Sequence, residues 1–287
     1  MTTSETTGWT PSPRQRDRDA YQRRRTLRSL VLAALSTAVL GTALVVAVTS
    51  APGWPRTRET FLDAGVAWDS VPSVVRGFWL NVRVFTVSGV LMLVFGLFLA
   101  VLRTLRGAVF WPVRALATAY VDLFRGLPLI LVLLVVGFGV PGLRLQGVPS
   151  SAVVLGSAAL ILTYSAYVAE VFRAGIESIH PSQRAAARSL GLSASQTMRY
   201  VVLPQAVRRV VPPLLNDVVS LTKDSGLISV LGAIDAVRSA QIITAESFNF
   251  TPYVVAGGLF VLLTVPLTRL TDAVSRRYGY LPGGGHL

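Results

Sequence analysis

Runs of uncharged, apolar residues about as long as a bilayer is thick constrain this chain more than any other feature. A helix rises about 1.5 Å per residue, so roughly 20 such residues cross a ~30 Å hydrocarbon core. Six stretches meet that length, at 29 to 49, 78 to 102, 115 to 140, 151 to 172, 208 to 232 and 253 to 271. The expectation is therefore an all-α membrane protein with about six transmembrane helices. Composition agrees, since 52% of the 287 residues are hydrophobic and only 14% are charged.

A net charge of +13 would suit a nucleic-acid binder, but the arginines border apolar runs instead of gathering on a soluble domain. Nucleic acid is therefore not an expected partner, and membrane lipid is. Seven arginines lie in 14 to 28. Four follow in the 103 to 125 region, six run from Arg173 to Arg209, and Arg269, Arg276 and Arg277 lie near the end. If loops alternate sides, these twenty face Arg56, Arg58, Arg76, Arg144 and Arg238 across the membrane. The positive-inside rule makes the rich side cytoplasmic, with both termini on it. The chain then divides into a disordered basic tail (1–28), a first span (29–49) and an irregular external loop (50–76) containing Pro52, Gly53, Pro55 and Pro72, with room for a short interfacial helix. A membrane core (77–277) with a cytoplasmic loop at 173–208 follows, and then a C-terminal tail (278–287). Without cysteine, and with only His180 and His286, no disulfide or histidine-rich metal site can form.

The loop carries the stretch SQRAAARSLGLSASQTMRYVVLPQAVRR from Ser182 to Arg209. Pro181 and Ser182 can start a helix with Ser182 as N-cap, and Gln183 to Leu190 favours helix through Ala185, Ala186 and Ala187. Gly191 can end it by adopting positive φ, and Ser193 to Val202 can form a second short helix. Arg184 and Arg188 share one face. Such an insert is either a docking surface for a soluble partner or an interfacial amphipathic helix with none. A P-loop needs lysine after glycine, and the sole lysine, Lys223, follows Thr222. Any ATP-driven pumping must then use nucleotide machinery on another chain.

Q-x-x-A-A-R-S-L-G from Gln183 to Gly191, with V-L-P-Q-A from Val202 to Ala206, resembles the "EAA" loop of importer permeases of the ATP-binding cassette (ABC) type. Tyr120 to Leu129, Ala166 to Ile179 and Asn216 to Ile228 are similar to three further stretches of the polar amino acid permeases in that family. Together they cover about 77 to 277. The resemblance implies a type I importer fold with cytoplasmic coupling helices. It assigns ATPase coupling to Ser182, Gln183, Arg184, Ala185, Ala186, Ala187, Arg188, Ser189, Leu190, Gly191, Leu203 and Pro204. It also implies an ABC ATPase dimer holding ATP and magnesium, a second permease (copy or paralogue), an extracytoplasmic amino-acid-binding protein and a bacterial plasma membrane, with no cofactor, catalytic residue or metal on this chain. The arginine- and alanine-rich composition suggests an actinobacterial source, and from it glutamate as the first substrate to consider. Ala185 stands where the family carries glutamate, which removes a carboxylate that could complete a capping box with Ser182. Asp122, Leu127 and Val132 also depart from the family pattern.

Charges inside spans are costly, about 2.5 to 3.5 kcal/mol at a helix centre, and point to a cavity or a partner. Asn216, Lys223, Asp224, Ser225 and Glu170 are the candidates for a substrate pathway. For Lys223 and Asp224 an interhelical ion pair, or a helix break beside Gly226, fits equally. Glu170 and Arg173, three apart, are expected to pair. Arg83 can snorkel to the outer interface. A stand-alone ion-coupled transporter or channel would need its coupling site at Lys223 and Asp224, and a membrane anchor for a soluble enzyme would need neither charges nor a long loop.

Overall fold

The computed structural model describes residues 12–105 and 107–277. The start of the basic tail (1–11), Arg106 of the charge count, and the C-terminal tail with His286 lie outside the described residues. The chain divides into two units at Glu59 and Thr60.

The first unit is dominated by α1, Pro13–Thr49, capped by Ser12 with proline at the first helical position. Residues 13–28, expected as part of a disordered tail, are helical. Their arginine, glutamine and leucine content favours helix, and a helix already committed to crossing the membrane extends at no nucleation cost. The apolar side chains of α1 are exposed, Leu40 by 70%, as suits a helix whose solvent is hydrocarbon.

In the second unit every described element is helical. A short α2, Trp54–Phe61, runs across the division at Glu59, and α3, Ala64–Thr104, is the first helix wholly within the second unit. The irregular external loop expected over 50–76 is thus mostly helix. Asp63 caps α3 through its side chain, accepting from Gly65 and Val66 at 2.8 and 3.1 Å, and Pro72 lies inside the helix without ending it. The physical reason is a single buried stripe. Ser70, Val74, Gly77, Asn81, Val84, Ser88, Met92, Gly96 and Leu99 recur every three or four residues, so packing outweighs the turn-forming residues.

The central helix is α6, Ala152–Glu177, which packs along α3. Small residues bring the two backbones together. A Cβ on Gly96 would lie 2.4 Å from Val168 Cγ1 and 2.9 Å from the Ser165 carbonyl oxygen. Gly96→Val is expected to lower the thermal unfolding midpoint of the detergent-purified protein by the equivalent of about 1–3 kcal/mol. Gly89→Ala, whose new methyl would meet only Leu221 at an ordinary 3.7 Å, is the control. Equal midpoints for the two variants would refute the close approach.

The third expected span, 115 to 140, is not one straight helix. α4, Trp111–Gly126, and α5, Leu129–Gly142, meet at 108°. Leu127 is extended (φ −96°, ψ 136°) because the residue before a proline is excluded from the helical region, and Pro128 follows in the same manner. After α7, Pro181–Ser189, the run α8, Ala194–Leu231, starts well before the expected 208. It includes a π-helical turn at Met198–Val202, so the expected second short helix runs on into the span. Pro212 and Pro213 lie within its α-helical part. That part ends at Asp224, with a 3₁₀ segment at Ser225–Leu231, beside the Gly226 named as a possible break. Gly232 turns the chain at φ +89°, and α9, Ala236–Ser247, departs at 49°. α10, Thr251–Arg277, completes the fold. Among the described residues, four runs are long and apolar enough to cross a membrane singly, and up to six if each bent pair counts as one.

Candidate functional site

The loop after α6 is built by three backbone devices. The N-cap of α7 is His180, not Ser182. Nδ1 of His180 accepts from the Ser182 N–H at 3.2 Å and lies 2.7 Å from its hydroxyl, with Pro181 at the first helical position. The third position of α7 is therefore Gln183, and Ala185 sits a half-turn deeper, so the absent glutamate takes nothing from the cap. At the other end, Gly191 takes φ +83°. Its N–H donates to Arg188 at 3.0 Å and that of Leu192 to Ala187 at 3.2 Å, a Schellman closure. Ser193 and Gln196 then form a reciprocal capping box at 3.2 and 2.8 Å, which starts α8.

These devices sort the expected coupling residues. Ala187 is buried against the body. Arg184 is half-buried and donates to the Ile176 carbonyl at 2.7 Å, placing its charge at the C-terminal end of α6, where the helix dipole favours a cation. Arg209, about four turns into α8, donates to the Ser178 carbonyl and ties α8 to the same end. Ser182, Gln183, Ala185, Ala186, Arg188, Ser189 and Gly191 are exposed, as are Leu203 and Pro204. Leu190 is 83% exposed at the tip of α7, an apolar side chain that a soluble surface would rarely leave there.

Glu170 pairs with Arg173 as expected, but it also receives Arg103 at 3.0 Å and Arg125 at 3.7 Å, while Arg173 reaches Glu177. One carboxylate thus joins α3, α4 and α6 at the end of the bundle from which α7 emerges. Asp224 accepts a hydrogen bond from the Tyr164 hydroxyl at 2.7 Å, whereas Lys223 is exposed and makes no ion pair among the described residues. Neighbours on a helix face different ways, as expected. Asn216 is exposed, and Ser225 is buried with its hydroxyl on the Thr222 carbonyl.

Sequence reasoning missed a buried polar residue that joins three groups. Asn81, 1% exposed on α3, donates to the Ser225 carbonyl at 3.0 Å and to Asp235 Oδ2 at 2.9 Å. Its Oδ1 accepts the Ala236 N–H at 3.1 Å, while Asp235 Oδ1 caps α9 through Arg238. Gly77, one turn earlier, permits this contact, since a Cβ there would lie 2.4 Å from the Asp235 carbonyl. The available signal was an amide inside an apolar run with glycine four residues before it.

Long apolar helices around a small-residue core, with a cationic helical insert at one end, define an integral membrane protein of several spans with a built surface outside the bilayer. The chain belongs to the family described as the binding-protein-dependent transport system inner membrane component, whose model matches residues 92–280. α1, α2 and the first part of α3 precede the matched segment. Over 217 residues the chain is 32% identical to the arginine transport system permease protein ArtQ of Bacillus subtilis, covering 75% of this chain and 97% of that protein. Over 210 residues it is 35% identical to the glutamate transport system permease protein GluC of Corynebacterium glutamicum, covering 69% and 91%. A crystal structure of an amino acid ABC transporter with histidines contains a similar chain, with TM-score 0.66 and 32% identity over 72% of this chain and 94% of that one.

Proposed function

We propose that this chain is the membrane-spanning permease subunit of an ATP-driven importer of polar amino acids, working by alternating access. The observation that carries the reading is the outer face of α7. Ala185 and Ala186, flanked by Arg188 and Leu190, form an exposed surface held rigid by the His180 cap and the Gly191 closure. Alanines let a partner backbone approach closely. The relatives' names, which include arginine and glutamate transport system permeases and an amino acid ABC transporter, support the ABC assignment and the substrate class. Glutamate is the first substrate to test, with GluC in its favour.

In this mechanism two ATPase subunits on separate chains bind ATP with magnesium and close, and each pulls on a coupling helix. The hydrogen bonds of Arg184 and Arg209 to the end of α6 carry the displacement into that helix, and α8 carries it into the spans because it is continuous from Ala194 to Leu231. The subunit rocks against a second permease, opening a path toward an extracytoplasmic binding protein. Substrate passes near Asn216, Lys223, Asp224 and Ser225, and Glu170 holds the helix ends together. The arginine-rich side, including both termini, faces the cytoplasm of a bacterial cell. No covalent chemistry falls to this chain.

Affinity-tagged chain co-expressed with its chromosomal neighbours is expected to recover an ATPase, and the reconstituted complex to hydrolyse ATP faster when loaded binding protein is added. Uptake by the lone chain in vesicles, driven by a sodium or proton gradient, would sink the proposal.

A further inference from the structure

The bundle end that bears α7 holds a second feature, which shares Arg188 with the docking face. A cavity of about 350 Å³ lies between the end of α3, the end of α6, α7 and the start of α8. Its lining includes Arg184, Arg188 and Thr197, and no carboxylate. Thr197 is 5% exposed, and its hydroxyl has no partner among the described residues; the Nε of Arg184 is likewise buried and unpartnered. Two cationic side chains and no carboxylate in the lining make the cavity complementary to an anion with several acceptor oxygens.

Thr104 and Ile176 line this cavity and also a neighbouring groove of about 210 Å³ between α3, α6 and α8. The groove is apolar apart from Thr104. It runs from Thr104 to Leu97 on α3 and from Leu203 to Leu214 on α8, about 10 and 16 Å of helix. Half of a hydrocarbon core is about 15 Å. Such a groove is a poor path for a zwitterion, which it would strip of water without offering partners. Its open rim, with Val101 and Val207 about half exposed, suits a flexible hydrocarbon chain.

We infer that the Arg184–Arg188–Thr197 cavity and the adjoining groove together form a binding site for one anionic phospholipid, its phosphodiester in the cavity and an acyl chain in the groove. A carboxylate from a partner protein would use only the cavity. The continuity of cavity and groove, and the one-leaflet length, favour the lipid.

The test is native mass spectrometry of the detergent-purified full chain titrated with phosphatidylglycerol. One lipid is expected to stay bound, with Arg184→Gln/Arg188→Gln weakening it about thirtyfold. Val207→Trp on the exposed groove rim is expected to weaken it as well, and excess inorganic phosphate should not displace it. Arg184→Lys/Arg188→Lys, eluting as the native protein does, is expected to keep the lipid because the charge persists. Equal binding by the glutamine pair, or loss in the lysine pair, overturns charge recognition of the headgroup. Displacement by phosphate with no effect of Val207→Trp reduces the site to a free-anion pocket and overturns the lipid assignment. No lipid on the native chain, together with loss of ATPase co-purification in the glutamine pair, overturns it in favour of a partner carboxylate.

Discussion

Gly191→Val is expected to abolish ATPase co-purification and binding-protein-stimulated ATP hydrolysis while leaving the chain inserted and monodisperse. The reason is conformational. At φ +83° a Cβ would meet nothing within 4 Å, so no clash is involved. The left-handed region itself costs roughly 1–2 kcal/mol for an ordinary side chain, and more for a β-branched one. The Schellman closure through Arg188 and Ala187 would open, and Leu190 and the last turn of α7 would lose their fixed direction. Gly191→Asn provides the discriminating control, because asparagine tolerates left-handed backbone and should retain most coupling. Coupled uptake at the native rate in the valine variant would remove α7 from the mechanism, whereas equal loss in the asparagine variant would show that side-chain bulk at the docking face, and not backbone conformation, is what matters.

The second large effect is expected at Asn81. Asn81→Leu strips a partner from the Ser225 carbonyl, the Asp235 carboxylate and the Ala236 N–H, all held by one buried amide. Each orphaned group costs about 1–3 kcal/mol, so a total of roughly 3 kcal/mol or more is expected, read as a lowered thermal midpoint in detergent. Asn81→Asp should be at least as damaging, since it sets a second carboxylate against Asp235. A stable aspartate variant would show that the amide donor does not hold the α8–α9 turn. A stable leucine variant would show that the contact contributes little.

These two residues mark the division between what a linear reading can find and what it cannot. Gly191 was legible because a helix stop is local: alanines, then glycine, then serine with glutamine three residues on. The apolar spans were legible for a similar reason, since crossing a bilayer depends on length and composition alone. Local readings failed where competing local signals were close in strength. His180 capped α7 in place of Ser182, two residues away. The prolines and glycine of 50–76 read as loop, although the stripe from Ser70 to Leu99 holds α3 in one piece. The hydropathy of 115 to 140 concealed a 108° turn that Leu127 and Pro128 impose.

Glu170 illustrates the intermediate case. Its pairing with Arg173 follows from helical spacing, but the arrival of Arg103 and Arg125 from 67 and 45 residues away depends on how α3 and α4 pack on α6. Asn81 with Asp235, 154 residues apart, lies wholly beyond periodicity.

By itself, then, the order of residues determined that this is a helical membrane protein, roughly where its spans lie, and that a glycine-terminated, alanine-rich helix stands on one side. Burial in lipid and backbone conformation are properties of short segments, which is why they can be read from short segments. Only the tertiary structure decided which polar groups share a partner, and that a cationic cavity opens onto an apolar groove. Those features arise from contacts between distant helices, and the energy of such contacts belongs to pairs of surfaces, not to any stretch of chain.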